Sequence, residues 1–365
     1  MKLNIAILGT RGIPNHYGGF EHISQHLATG LVEKGHLVTV YNSHNHPHTE
    51  NNWRGVQIIH VYDPEHFMGT AGQFIYDFNC LLDARKKNFD VILFMGYTSS
   101  SIWGSLFPKR TIIISNMDGL EWKRTKYSKP VQHFLKYAER LAIKYSQFYI
   151  ADSIVIQSYL KDKYQVTSEY IPYGADLYAI PNHEKLEMPE EPYFLLMARM
   201  EPENNIEMIL TGFSRSRTKR ILKVLGNTQN KFGKWLTKKF EQDLRIQFMG
   251  PNFDPFAVND LQHWSYLYFH GHSVGGTNPS LLQAMANGAP IAAHRNAFNE
   301  AVLQHGAFYF SNAEEVTKIV ENLPQTAAVQ QMKAHNLQQI RLQYNWPKVI
   351  EAYEEFILKC YQNNG

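Results

Sequence analysis

The chain has 365 residues, 44% of them hydrophobic and 19% charged, with a formal net charge of +3, which suits a folded protein with room for two ordinary cores. That balance excludes a disordered chain, and so small a net charge gives no general footprint for nucleic acid. Its basic residues are nevertheless clustered, at 123–129 among Trp122 and Tyr127 and again at 215–239, where a solvated helix face explains them.

In chain order, short β-branched runs alternate with segments of helical period, the pattern of parallel sheets covered by helices on both faces. The opening MKLNIAILGTRG ends in a glycine turn and reads as a strand, not a signal peptide. Strands are predicted at Asn4–Leu8, Leu37–Tyr41, Gln57–His60, Val91–Met95, Thr111–Ser115 and Phe148–Ala151, with helices at Glu21–Lys34, Gly72–Lys86 and Val131–Tyr145. The proline-bearing acidic run Pro181–Pro192 reads as a connection. Beyond it, strands are predicted at Tyr193–Met197, Arg220–Leu225, Ile246–Met249, Tyr266–Phe269, Pro290–Ala293 and Ala307–Phe310. The expectation is an α/β protein with two doubly wound Rossmann-like domains, 1–180 and 181–346, facing each other across a cleft. A last amphipathic helix, 347–365, could pack on either domain or cross back to the first. The apolar runs are far shorter than the ~20 residues of a spanning helix. Cys80 and Cys360, without a CxxC, read as buried or free thiols of a reducing compartment, so the cytoplasm is expected.

Three stretches carry chemistry. The first strand runs into GTRGIPNHYGGFE (9–21), where a phosphate loop belongs, but with spacing wrong for a dinucleotide fingerprint. Gly18 and Gly19 at a helix N-terminus would let backbone N–H groups meet a diphosphate, and Glu21 either caps that helix or reaches a sugar. The strand at 193–197 is followed by Arg199, a candidate for holding a departing phosphate in bidentate fashion, or else a partner of Glu201 or Glu203. The third stretch, HGHSVGGTNPSLLQAMANGAP (270–290), turns a strand through Gly275, Gly276, Thr277 and Asn278 into a helix whose N-terminal amides and Ser280 would face a ligand, with Gln283 one turn in. The histidines of His44-Asn-His-Pro-His48 could hold a metal, although a polar loop without a second ligand cluster explains them better.

These motifs together, with DGLEWKRTKY (118–127) and ARMEPENNIEMIL (198–210), resemble the GT-B glycosyltransferases of family 4, and more narrowly a bacterial rhamnosyltransferase-like group with the GTRGIP..YGGFE domain. The resemblance covers most of the chain. It implies the GT-B fold, with 1–180 as the acceptor-side domain and 181–346 binding the nucleotide-sugar donor. It implies a retaining transfer, most simply of L-rhamnose from dTDP-L-rhamnose to a saccharide or polyprenyl-linked saccharide in cell-surface polysaccharide synthesis. Two departures stand out: Asn204 or Asn205 occupies the place of a phosphate-binding lysine, and Gln283 the place of a ribose-binding glutamate. No Asp-x-Asp occurs, so no metal or other cofactor is expected and the leaving charge falls to Arg199, Gly276, Thr277 and the Gly18-Gly19 turn. Asp118 is either a helix N-cap or the residue that orients the acceptor hydroxyl. Glu300 matches the family's acidic residue beyond the donor loop, or caps a helix. Trp122, Lys123, Arg124 and Lys126 are candidates for an anionic membrane surface carrying the acceptor, which would make the protein peripheral on its inner face. An epimerase or hydrolase on the same scaffold and a weakly active sugar-binding subunit are the rival classes.

Overall fold

A computed structural model describes residues 1–16, 18–117, 119–178, 191–252, 254–323 and 326–364. By packing, the chain divides into two units: Met1–Trp122 with Ser128–Tyr173 and Trp346–Gly365, and Lys123–Tyr127 with Gly174–Asn345. The connection expected at Pro181–Pro192 lies outside the described residues as far as residue 190.

The first unit runs β1 (Asn4–Leu8), α1 (Gly19–Glu33), β2 (Leu37–Ser43), β3 (Asn52–Trp53), β4 (Val56–Val61), α2 (Glu65–Met68), α3 (Gly72–Ala84), β5 (Val91–Met95), β6 (Ile112–Asn116), α4 (Lys129–Tyr145), β7 (Phe148–Ala151), α5 (Ile154–Tyr164) and β8 (Glu169–Tyr170). Its sheet has the order β3-β4-β2-β1-β5-β6-β7-β8, parallel except for the β3–β4 pair. β5 is buried along its whole length, as a central parallel strand with helices on both faces must be. Its core gathers Leu8, Tyr41, Tyr76, Phe94 and Ile113.

The second unit runs β9 (Phe194–Met197), α6 (Ile206–Arg215), β10 (Leu222–Leu225), α7 (Lys231–Lys239), β11 (Ile246–Gly250), α8 (Pro255–His263), β12 (Leu267–His270), α9 (Pro279–Ala286), β13 (Ile291–His294), α10 (Ala297–Leu303), β14 (Phe308–Phe310), α11 (Ala313–Glu321) and α12 (Thr326–Leu342). The order β11-β10-β9-β12-β13-β14, all parallel, reverses direction between β9 and β12. Phe194, Phe213, Val224, Phe269 and Phe310 fill its core.

The last helix, α13 (Trp346–Asn364), belongs to the first unit. Gly30 of α1 lets it approach, since a Cβ there would lie 2.6 Å from Ile350 Cδ1. Glu354 accepts from Lys34 at 2.8 Å, and Tyr353 OH accepts from Asn116 Nδ2 at 3.1 Å. Among the described residues no helix is long and apolar enough to cross a membrane. Both cysteines are buried and unbridged.

Candidate functional site

In open parallel sheets, ligands bind beyond the carboxyl ends of the strands where the order reverses. In the second unit that place lies beyond β9 and β12, and the sequence puts Arg199 after one and the glycine loop after the other. Arg199 is exposed, and among the described residues no carboxylate lies within ion-pair distance of it. The two glutamates expected as alternatives have other partners: Glu201 Oε1 meets Lys126 Nζ at 3.4 Å, and Glu203 meets Thr125 Oγ1 at 3.2 Å and Arg124 Nη1 at 4.0 Å.

The turn behind Arg199 is wired to the loop after β12. Asn204 is buried and donates through Nδ2 to Arg199 O at 2.7 Å; Asn205 donates to Gly271 O at 2.8 Å. The two asparagines, expected at the donor phosphate, thus have side-chain donors engaged by backbone carbonyls. Ser273 closes the same junction, its N and Oγ donating to Glu203 O at 3.1 and 2.7 Å. On the far side, Asn296 and Asn299 donate to His272 O at 3.1 and 3.0 Å, which ties the loop to the end of β13.

Gly275 has a φ of +137°, a conformation that strains any residue with a Cβ. Thr277 is buried. Asn278 caps α9, its Oδ1 accepting from Ser280 N at 2.9 Å and Ser280 Oγ at 2.8 Å. The Ser280 amide and hydroxyl, expected to face a ligand, are therefore engaged by Asn278. Gln283 donates to Asn287 Oδ1 at 3.1 Å, and Asn287 in turn to Gln262 Oε1 at 2.7 Å. With its nitrogen held, Gln283 offers its carbonyl oxygen as an acceptor. Glu300 caps nothing: Asn296 caps α10, and Glu300 pairs with Arg295 at 2.9 Å on an exposed surface.

His270 and His272 stack at 4.5 Å beneath the loop. His270 is fully buried, and its ring nitrogens have no hydrogen-bond partner among the described residues. Burial lowers the His272 pKa to about 3, with Arg199 and then Arg124 acting in the same direction. Both rings are neutral at physiological pH.

In the first unit the reversal lies between β1 and β5. Gly9 turns there at φ +81°, and a Cβ would come within 2.7 Å of Met95 O. Glu21 is buried and neither caps α1 nor reaches outward: Oε1 accepts from Arg11 N at 2.9 Å and Thr10 Oγ1 at 3.3 Å. Asn42 accepts from Ile13 N at 3.0 Å, and Gln25 from Asn15 N at 2.9 Å. These loop amides are engaged, and α1 starts after Gly18, its N-cap, in extended conformation. Asp77, buried on α3, has its pKa raised to about 7 by burial, against the Ser99 hydroxyl at 2.6 Å and the charge of Arg11. The one signal for it is a carboxylate on the apolar face of a helix.

Asp118 lies outside the described residues. Trp122 is anchored in the first unit, donating to the buried Glu139 at 3.2 Å with Lys136 Nζ 4.2 Å from its ring. Arg124 and Lys126 carry the ion pairs described above, and Lys123 follows Trp122 at an exposed position. The run is therefore not an array of solvated cations, and its expected attraction to an anionic surface is reduced accordingly. His46 of the histidine run is buried, its ring 3.1 Å from Pro14 O; among the described residues no group of three or more His, Cys, Asp or Glu is placed to hold a metal ion.

Residues 2–176 match the family model described as a domain of unknown function, DUF1972. No curated protein matches the chain by sequence. Solved structures similar to it include a sucrose-phosphate synthase from Thermosynechococcus elongatus (TM-score 0.83, 14% identity, 99% of this chain and 100% of that one). HepE from Anabaena, in complex with UDP-glucose, gives a TM-score of 0.76 at 14% identity over 98% of this chain and 100% of its own. A glycosyltransferase from Rickettsia africae gives 0.72 at 13% over 99% of each. The chain has the fold of these GT-B structures: two Rossmann-like domains, each on a parallel sheet.

Proposed function

We propose that the protein is a glycosyltransferase that takes a sugar from a nucleoside-diphosphate donor bound in the second unit. One observation carries the reading: among the described residues Arg199 has no carboxylate partner, and it stands at the point where the sheet order reverses, beside a glycine turn opening a helix. An exposed guanidinium whose neighbouring glutamates are engaged elsewhere suits a transient phosphate. In this reading Arg199 and the amides of Gly275–Thr277 stabilise the charge that develops as the diphosphate leaves. Gln283 accepts from a ribose or sugar hydroxyl. The buried, neutral His270 and His272 give the site a low-dielectric floor, where a fixed positive charge acts more strongly than in water.

The finer reading follows the sequence motifs. The donor is dTDP-L-rhamnose, the acceptor a saccharide or lipid-linked saccharide, and transfer proceeds with retention and without a metal. The start of α1 at Gly18-Gly19 and, on the acceptor side, Asp118 complete the set of groups. A lipid-linked acceptor would be met at an anionic membrane surface, where exposed Val131, Phe134 and Tyr137 on α4 stand among basic residues.

The test incubates the protein with dTDP-, UDP- and GDP-sugars in EDTA, with no acceptor, a soluble saccharide, or a polyprenyl-linked saccharide in neutral or anionic vesicles. Acceptor-dependent nucleotide release is expected, greatest with dTDP-L-rhamnose, with the anomeric configuration retained in the product by NMR. Arg199→Gln should lower kcat/KM by about 10²-fold or more. Release without acceptor would instead identify a hydrolase, and binding without release a carbohydrate-binding subunit.

A further inference from the structure

His272 is held more firmly than a residue in a connecting loop needs to be. Its carbonyl accepts from two side chains of the β13–α10 segment, Asn296 Nδ2 at 3.1 Å and Asn299 Nδ2 at 3.0 Å. Its neighbours on either side are tied to the turn behind Arg199. Gly271 O accepts from Asn205 Nδ2 at 2.8 Å, and Ser273 gives its N and Oγ to Glu203 O at 3.1 and 2.7 Å. A Cβ on Gly271 would overlap Asn204 O, so the loop and that turn meet backbone to backbone. The His272 ring stacks on the fully buried His270 at 4.5 Å, with 16° between the planes. Backbone and ring are both fixed just before the Gly275 turn.

For all that support, the polar atoms of the ring are unused. Neither nitrogen makes a hydrogen bond among the described residues, and Nδ1 is shut off from solvent. Of the two kinds of buried orphan, an unpaired N–H is the rarer, so the proton belongs on Nε2, at the tip of the half-buried ring. Burial keeps the imidazole neutral. Diphosphate oxygens are best met by a guanidinium and by amides, which Arg199 and the glycine turn supply. An uncharged N–H, held in one place, suits a hydroxyl oxygen.

Resting on the transfer reading above, we propose that His272 is a sugar-binding residue of the donor site, its Nε2–H donating to a hydroxyl of the sugar to be transferred. The site is then divided by chemistry: Arg199 meets the part of the donor that leaves, and His272 the part that is passed on. A contact fixed in advance selects among sugars, because one lacking that hydroxyl leaves the N–H unpaired.

Titration calorimetry on the full chain tests this, with UDP-glucose and dTDP-L-rhamnose as probes beside UDP and dTDP. His272→Phe keeps a flat ring against His270 and removes both nitrogens. It should weaken the better-bound nucleotide sugar at least tenfold and change the matching nucleoside diphosphate less than threefold. His272→Gln, whose amide nitrogen reaches about as far as Nε2, should recover part of the loss, and His272→Asn, which reaches only about as far as Nδ1, should not. Nucleotide-sugar binding within twofold of wild type in His272→Phe overturns the proposal. An equal loss for the nucleoside diphosphate, in a variant that melts as wild type does, overturns it too. Should His272→Phe not fold, the other pair decides, since equal nucleotide-sugar affinities in His272→Gln and His272→Asn overturn the proposal. A wild-type protein that binds none of the four probes overturns the transfer reading and this proposal with it, whereas nucleotide-sugar binding that survives in His272→Phe overturns this proposal alone.

Discussion

His272 follows β12 into the glycine turn with its ring stacked on the fully buried His270, and burial brings its pKa down to about 3. In the unfolded chain the ring would titrate near 6.5. The folded protein therefore binds fewer protons between those values, so stability present above pH 6.5 is lost as the pH falls toward 3. His26 and His46, lowered to about 4 mainly by burial, act in the same direction. Asp77, raised to about 7, acts oppositely, because the folded state keeps its proton while the unfolded carboxyl releases it. Urea melts at pH 6.5, 5 and 4 should show falling stability, and His272→Asn should remove up to about 1.4 kcal/mol per pH unit of that slope. A slope unchanged in the variant would sink the assignment. The sequence made Arg199 and the glycine loop legible, because a strand end fixes where such groups stand. It did not reveal what engages Glu201 and Glu203, since the Thr125–Glu203 bond joins positions 78 apart. Nor did it reveal that Asn204, Asn205, Asn278 and Ser280 have side-chain polar groups that meet protein atoms.

At the scale of elements, the long buried strands were readable to within a residue or two. β5 and β12 are buried throughout, so the run of β5 is apolar without a break and that of β12 is apolar up to His270. The two-residue strands β3 and β8 and the single-turn α2 were missed, because such short pieces are set by their neighbours and leave no period. The β1–α1 connection shows tertiary wiring overriding a local signal. A carboxylate in the first turn of a helix reads as a dipole partner, yet Glu21 turns inward and holds Arg11 N and Thr10 Oγ1. Glu21→Ala would leave both donors without their acceptor in a buried place, at about 1–3 kcal/mol for the pair. Glu21→Gln keeps an acceptor oxygen and should cost less than half as much. Thermal melts should therefore order wild type above Glu21→Gln above Glu21→Ala; an alanine variant as stable as wild type would show that the loop holds without this residue.

For the whole molecule, the alternation of strand and helix was enough to read two Rossmann-like domains, while the place of the final helix was not readable. An amphipathic helix fits any apolar surface of its width, and only the folded partner decides. Here the deciding features are the gap at Gly30 that admits Ile350, the pairing of Glu354 with Lys34 and His36, and the stacking of Trp346 on His26 at 4.1 Å. Trp346, Val349, Tyr353, Ile357 and Cys360 are all buried, so α13 completes the first core after the chain has built the second unit. At about 1.5–3 kcal/mol for each large apolar side chain removed from water, its loss is comparable with the ~5–15 kcal/mol that holds a domain folded. A chain ending at Asn345 should therefore lose the first unit and keep the second. Hydrogen exchange followed by mass spectrometry should find β1, β2 and β5 unprotected while β9, β12 and β13 stay protected. Native-like protection of β5 in that truncated chain would mean that the first unit folds without α13, and that the helix is a covering and not part of the core.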